Sequence, residues 1–112
     1  MTQKEFIETK KYILEKALDI MNAKQPEYTN KSIDVLHNFK STAESIGITP
    51  MEVWAVFFYK HIQAILSHAG DPHMHQAEPI DSRYADALNY LFLGFAMLVE
   101  DSSKKDIISG TE

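Results

Sequence analysis

Two stretches of this chain, Val53 to Tyr59 and Leu91 to Val99, are apolar at almost every position. A helix that is hydrophobic on all sides must be covered on all sides. These two segments are therefore expected to need cover on every side, from the other helices or from another chain. The longest run, Tyr90 to Val99, is closed by Glu100 and Asp101. It falls well short of the roughly 20 residues needed to cross a bilayer and reads as a buried helix, so no membrane is expected as a partner.

The rest of the chain supplies covering helices. Thr2 with Glu5 makes a capping box that starts helix one. Phe6, Ile13, Ala17 and Ile20, flanked by Ile7, Leu14, Leu18 and Met21, continue it as one apolar stripe that ends before Pro26. Gln25 to Lys31 combines proline, asparagine and threonine and reads as a loop. Ile33, Leu36, Phe39, Ala43 and Ile46 carry helix two from Ser32 to a cap at Gly47. Thr49-Pro50-Met51-Glu52 places a cap hydroxyl, a first-turn proline and a return-bonding glutamate in order, opening helix three, which runs to about His68. Gly70 to Pro79 is the longest loop, and helix four spans Ile80 to Glu100.

The expected fold is all-α: a four-helix bundle-like single domain over residues 1–101, with a flexible polar tail over residues 102–112. Helices one and two offer one stripe each, which leaves part of the apolar surface of helices three and four in water. A homo-oligomer that covers it is expected; a compact monomer with helix four at its centre is the alternative.

Charge and composition narrow the function classes. The formal net charge of −5 opposes binding to duplex nucleic acid. The absence of cysteine excludes disulfides, thiolate zinc sites and thiol nucleophiles. Met1 to Glu8 is charged where a signal peptide would be apolar, so a cytoplasmic protein is expected.

A few polar residues interrupt the apolar helices. Lys60 shares a stripe with Glu52, Gln63 and Ser67, a solvent-facing pattern. His61 shares a face with Trp54, Phe57, Ile65 and His68, so its imidazole is either a satisfied core histidine or a ligand contact. Arg83, Asp86 and Tyr90 lie along one flank of helix four with Asn89 beside them. Arg83 and Asp86 there form either an intrahelical ion pair or the grip on a ligand, with Arg83 on phosphate and Tyr90 on a base. His68, Asp71, His73 and His75 cluster around the long loop, where a polar loop is favoured over a metal site.

Lys24-x-x-Glu27-Tyr28, Asn38-Phe39-Lys40, Gly47-Ile48-Thr49-Pro50, Lys60-His61 and Asp86-Ala87-Leu88-Asn89-Tyr90-Leu91, read in that order, resemble the bacteriophage nucleotide-modification-associated family. That family is distantly related to the MazG-like all-α nucleoside triphosphate pyrophosphatases. The relatives hold Mg²⁺ against a triphosphate with paired acids. Asp86 matches the last of these acids, but Ser82 and Arg83 stand where the motif has acids. An arginine puts a cation where the metal would sit and can still neutralise phosphate.

The resemblance therefore implies binding rather than catalysis: a phosphorylated nucleotide, or a signal derived from one, held by Lys60, His61, Arg83 and Asp86 with Tyr28 or Tyr90 on the base. A phage protein of the host cytoplasm that sequesters such a molecule is the expectation, with no cofactor. The alternative is a Mg²⁺-dependent nucleotide pyrophosphohydrolase using Glu15, Asp19 and Asp86. A third is a module whose apolar helix docks onto a host protein.

Overall fold

The computed structural model describes residues 1–29 and 33–101, apart from the side chains at 25 and 27–29. Its order is α1 (Gln3–Thr29), α2 (His37–Ile46), α3 (Pro50–Gly70) and α4 (Ile80–Glu100). There is no strand among the described residues, and the fold is all-α as expected. None of these helices is long and apolar enough to cross a membrane.

Local chemistry sets most of the ends. In the first capping box, the Thr2 amide donates to Glu5 Oε1 at 2.7 Å and the Glu5 amide donates to Thr2 Oγ1 at 3.1 Å. The second repeats this at Thr49 and Glu52, at 2.8 and 3.1 Å, with Pro50 in the first turn where its missing N–H costs nothing. Gly47 closes α2 at φ 76°, a left-handed conformation, and its amide and that of Ile48 both donate to the Ala43 carbonyl.

Two boundaries differ from the expectation. Helix α1 does not stop before Pro26 but continues to Thr29 with the proline inside. Pro26 has no N–H to offer the Asn22 carbonyl, yet Asn22 is exposed, so water can serve that oxygen and the last turn survives. Helix α2 starts at His37 rather than Ser32. Asp34 explains the delay: its Oδ1 accepts from the Leu36 amide at 2.9 Å and its carbonyl accepts from the His37 amide at 3.1 Å. That side-chain turn competes with helix and holds the chain out of it for one more turn. The tail expected over residues 102–112 lies outside the described residues.

Helix α4 packs against both α1 and α3, which do not approach each other closely among the described residues, while α2 packs against α3 and, more lightly, α1. The main core joins Leu36, Phe39 and Ala43 to Val53 of α3 and Leu93 and Met97 of α4. Trp54 fastens α3 to α4: its Nε1 donates to the Tyr90 carbonyl at 2.6 Å and its ring stacks on Phe58 with centroids 5.0 Å apart. Against α1, small residues let the helices approach, with Ala17 and Ala85 both fully buried. At the start of α4, Asp81 accepts from the Tyr12 hydroxyl at 2.7 Å and pairs with Lys16. At its far end Glu100 pairs with Lys40, which also holds Asp34.

Candidate functional site

Asp86 sits in the first half of α4, one turn before Asn89 and Tyr90, where side chains from both α1 and α3 reach it. Its side chain is only 4% exposed. Lys24 comes from α1 and places Nζ 3.8 Å from Asp86 Oδ1, while His61 comes from α3 and places Nδ1 3.9 Å from Asp86 Oδ2. Both separations exceed hydrogen-bond length, so the carboxylate feels these groups electrostatically without being bonded by them. Its Oδ1 is buried and accepts no hydrogen bond.

The neighbours are in the same condition. His61 Nδ1, Arg83 Nε and Asn89 Oδ1 are also buried without a hydrogen-bond partner. Asn89 spends its amide on the Ala17 carbonyl at 2.8 Å, a bond that ties α4 to α1 and leaves its oxygen unused. Arg83 reaches back to Glu78 in the preceding loop, with Nη1 3.0 Å from Oε2, so the intrahelical Arg83–Asp86 pair considered above is replaced by an ion pair one turn upstream. Buried polar groups in folded proteins are nearly always partnered. Four orphaned atoms, one of them on the Asp86 carboxylate itself, are therefore the clearest chemical anomaly among the described residues.

Two protonation equilibria are shifted here. Burial pushes His61 below its ordinary value of 6.5; Asp86 works against this, while Arg83 and Lys60 add to it. The imidazole is thus held neutral, able to accept on one nitrogen and donate from the other. Burial also raises the Tyr90 phenol, with the Asp86 charge adding to the shift, so Tyr90 stays protonated. The Tyr90 and His61 rings lie with centroids 4.9 Å apart.

A depressed histidine has a defined consequence for stability. Below pH 6.5 the unfolded chain binds a proton at His61 that the folded chain resists, so stability falls as pH drops through that region. Melting temperature is expected to be lower at about pH 5.5 than at about pH 7.5, and His61→Gln should flatten this part of the profile. An unchanged slope in that variant would show that another group carries the effect.

Of the residues anticipated from the sequence, His61, Arg83, Asp86 and Tyr90 come together. Lys60 is exposed on α3 and reaches the cluster only through its charge on His61. The Tyr28 side chain lies outside the described residues. Lys24 and Asn89 also belong to the cluster, beyond the ligand contacts expected from the sequence. A signal for Lys24 existed, since it continues the Ile13, Ala17, Ile20 spacing on the buried side of α1.

The metal set of the hydrolase alternative is not brought together. Glu15 is exposed and pairs with Lys11, Asp19 is exposed, and Asp86 is buried on another helix. Among the described residues no group of three His, Asp or Glu side chains is placed to hold a metal ion, the loop residues His68, Asp71, His73 and His75 included. Compared with protein-family models, curated proteins and solved structures, the chain finds no match.

Proposed function

We propose that this chain binds a phosphorylated nucleotide, or a signal molecule derived from one, at the junction of α1, α3 and α4 and holds it without cleaving it. The supporting observation is the cluster of buried, unpartnered polar atoms around Asp86. A ligand rich in donors and acceptors would satisfy them, and the Arg83 guanidinium suits phosphate in charge and geometry. Binding is favoured over hydrolysis because Arg83 and Ser82 occupy the positions where the pyrophosphatase motif carries acids, and because Glu15 and Asp19 stand apart from Asp86. A phage protein acting in the host cytoplasm to sequester a nucleotide or immune signal is the role this reading fits.

The test is thermal melting against a panel of nucleotides, dinucleotides and cyclic nucleotides, with and without Mg²⁺, followed by chromatography of any compound that shifts the transition. A ligand that binds only the folded chain raises its melting temperature by mass action. Recovery of the ligand intact is expected, and Arg83→Ala is expected to weaken its binding about tenfold to a hundredfold. Recovery of cleaved ligand would restore the pyrophosphohydrolase, and a flat response to every compound would remove the nucleotide reading.

A second reading rests on a different surface. Leu91, Phe95 and Leu98 are 49%, 47% and 43% exposed on one face of α4. With Met51, Trp54 and Gly94 they line an apolar groove of about 310 Å³. We propose that a second copy of the chain covers this face; a host protein docking there is the alternative occupant. Light scattering is expected to give a multiple of 12.8 kDa for the unaltered chain and a monomer for Phe95→Glu. A monomer at every concentration of the unaltered chain would leave the face to another protein.

A further inference from the structure

We infer that the nucleotide base this site selects is guanine, read by the Asp86 carboxylate with the Lys24 ammonium beside it. The inference rests on the nucleotide reading above and goes beyond it by naming the base. An ionised carboxylate only accepts hydrogen bonds. Asp86 is 4% exposed, its Oδ1 accepts none, and the two nitrogens facing it stand at 3.8 and 3.9 Å. What it lacks is a pair of adjacent donors.

Among the common bases only guanine presents two neighbouring N–H donors on its pairing edge, at N1 and at the 2-amino group, followed by an acceptor at O6. Adenine and cytosine each set one amino donor beside a ring-nitrogen acceptor, and uracil and thymine set one N–H between two carbonyls. Any of these would turn a lone pair toward a buried carboxylate, which is costly where water cannot intervene. Lys24 completes the match. Its Nζ lies 3.8 Å from Oδ1, so the site offers two acceptors and then a donor, the complement of the guanine order. Asn89, fully buried one turn on, keeps an unused Oδ1 as a further acceptor. The other polar bases would leave at least one of these groups unmatched.

The experiment is calorimetric titration of the intact chain with GTP, ITP, ATP, XTP and inorganic triphosphate. GTP is expected to bind most tightly. ITP, which lacks only the 2-amino donor, is expected to be weaker by about tenfold to a hundredfold, and ATP weaker still. Asp86→Asn replaces one acceptor by a donor, which matches the N1–H and O2 of xanthine, so that variant should prefer XTP to GTP. The ITP comparison uses the unaltered chain and does not depend on the variant folding.

Equal binding of GTP and ATP would overturn the base assignment while leaving a nucleotide site in place. So would triphosphate binding as tightly as GTP, or an Asp86→Asn variant that folds and still ranks GTP first. Failure of every nucleotide to bind would instead overturn the nucleotide reading on which the assignment rests.

Discussion

Replacing Phe39 by alanine is expected to lower the unfolding free energy by about 3–5 kcal/mol, the range for truncating a buried aromatic ring. Phe39 is 5% exposed and belongs to the core that joins α2 to α3 and α4. Its ring lies 6.4 Å from Phe57 and meets Tyr90 edge-on at 6.2 Å. The cavity would open where three helices meet, and α2, a helix of 10 residues, is too short to hold its form without packing. Urea denaturation followed by circular dichroism measures the loss; a change below about 1 kcal/mol would mean that the neighbouring rings collapse into the space. Because the Tyr90 ring meets Phe39 edge-on and lies beside His61, the same variant should weaken ligand binding at the polar cluster even where it remains folded.

Gly94→Val is expected to cost about 2–3 kcal/mol, despite exchanging a poor helix former for a better one. A Cβ at position 94 would stand 2.5 Å from two carbons of the Trp54 indole and 2.9 Å from its nitrogen. The indole has little room to retreat, because Nε1 is bonded to the Tyr90 carbonyl and the ring is stacked on Phe58. Either that bond breaks or α3 moves off α4. Trp54 is the sole tryptophan, so a shifted emission maximum in the folded state would report the displacement directly. Wild-type melting together with unchanged emission would show that the side chain is accommodated without displacing the indole.

The position of Gly94 marks the limit of what the chain reveals in one dimension. Read along the sequence, it is a glycine inside an apolar helix, a mild local penalty. Only the crossing of α3 over α4 gives it a reason, since the indole occupies the space a side chain would need. Pro26 carries the opposite lesson. Its missing amide is a sound local argument for ending α1, but the helix continues past it, and the residue whose carbonyl it abandons, Asn22, is exposed.

The polar cluster divides in the same way. That Arg83, Asp86 and Tyr90 share a flank of α4 follows from their spacing of three and four residues, a property of any helix. His61 could be placed on the apolar side of α3 for the same reason. Lys24 is different. A lysine near a helix end is ordinarily a solvated residue; its spacing puts it on the stripe of Ile13, Ala17 and Ile20, but that does not say that its ammonium will face a buried carboxylate on another helix. The meeting depends on how far α1 is rotated about its own axis, which the fully buried Ala17 and the Asn89 bond to the Ala17 carbonyl set together.

Helix number, both capping boxes, the Gly47 cap and the whole of α4 were determined by the sequence alone. These features rest on interactions between residues three to five apart, and such contacts form wherever a helix does. Which polar groups would be buried together, and that Asp86 would be left without a donor, only the tertiary structure decided. Contacts between helices depend on rotation and close approach, and those are set by the summed packing of many residues rather than by any local pair.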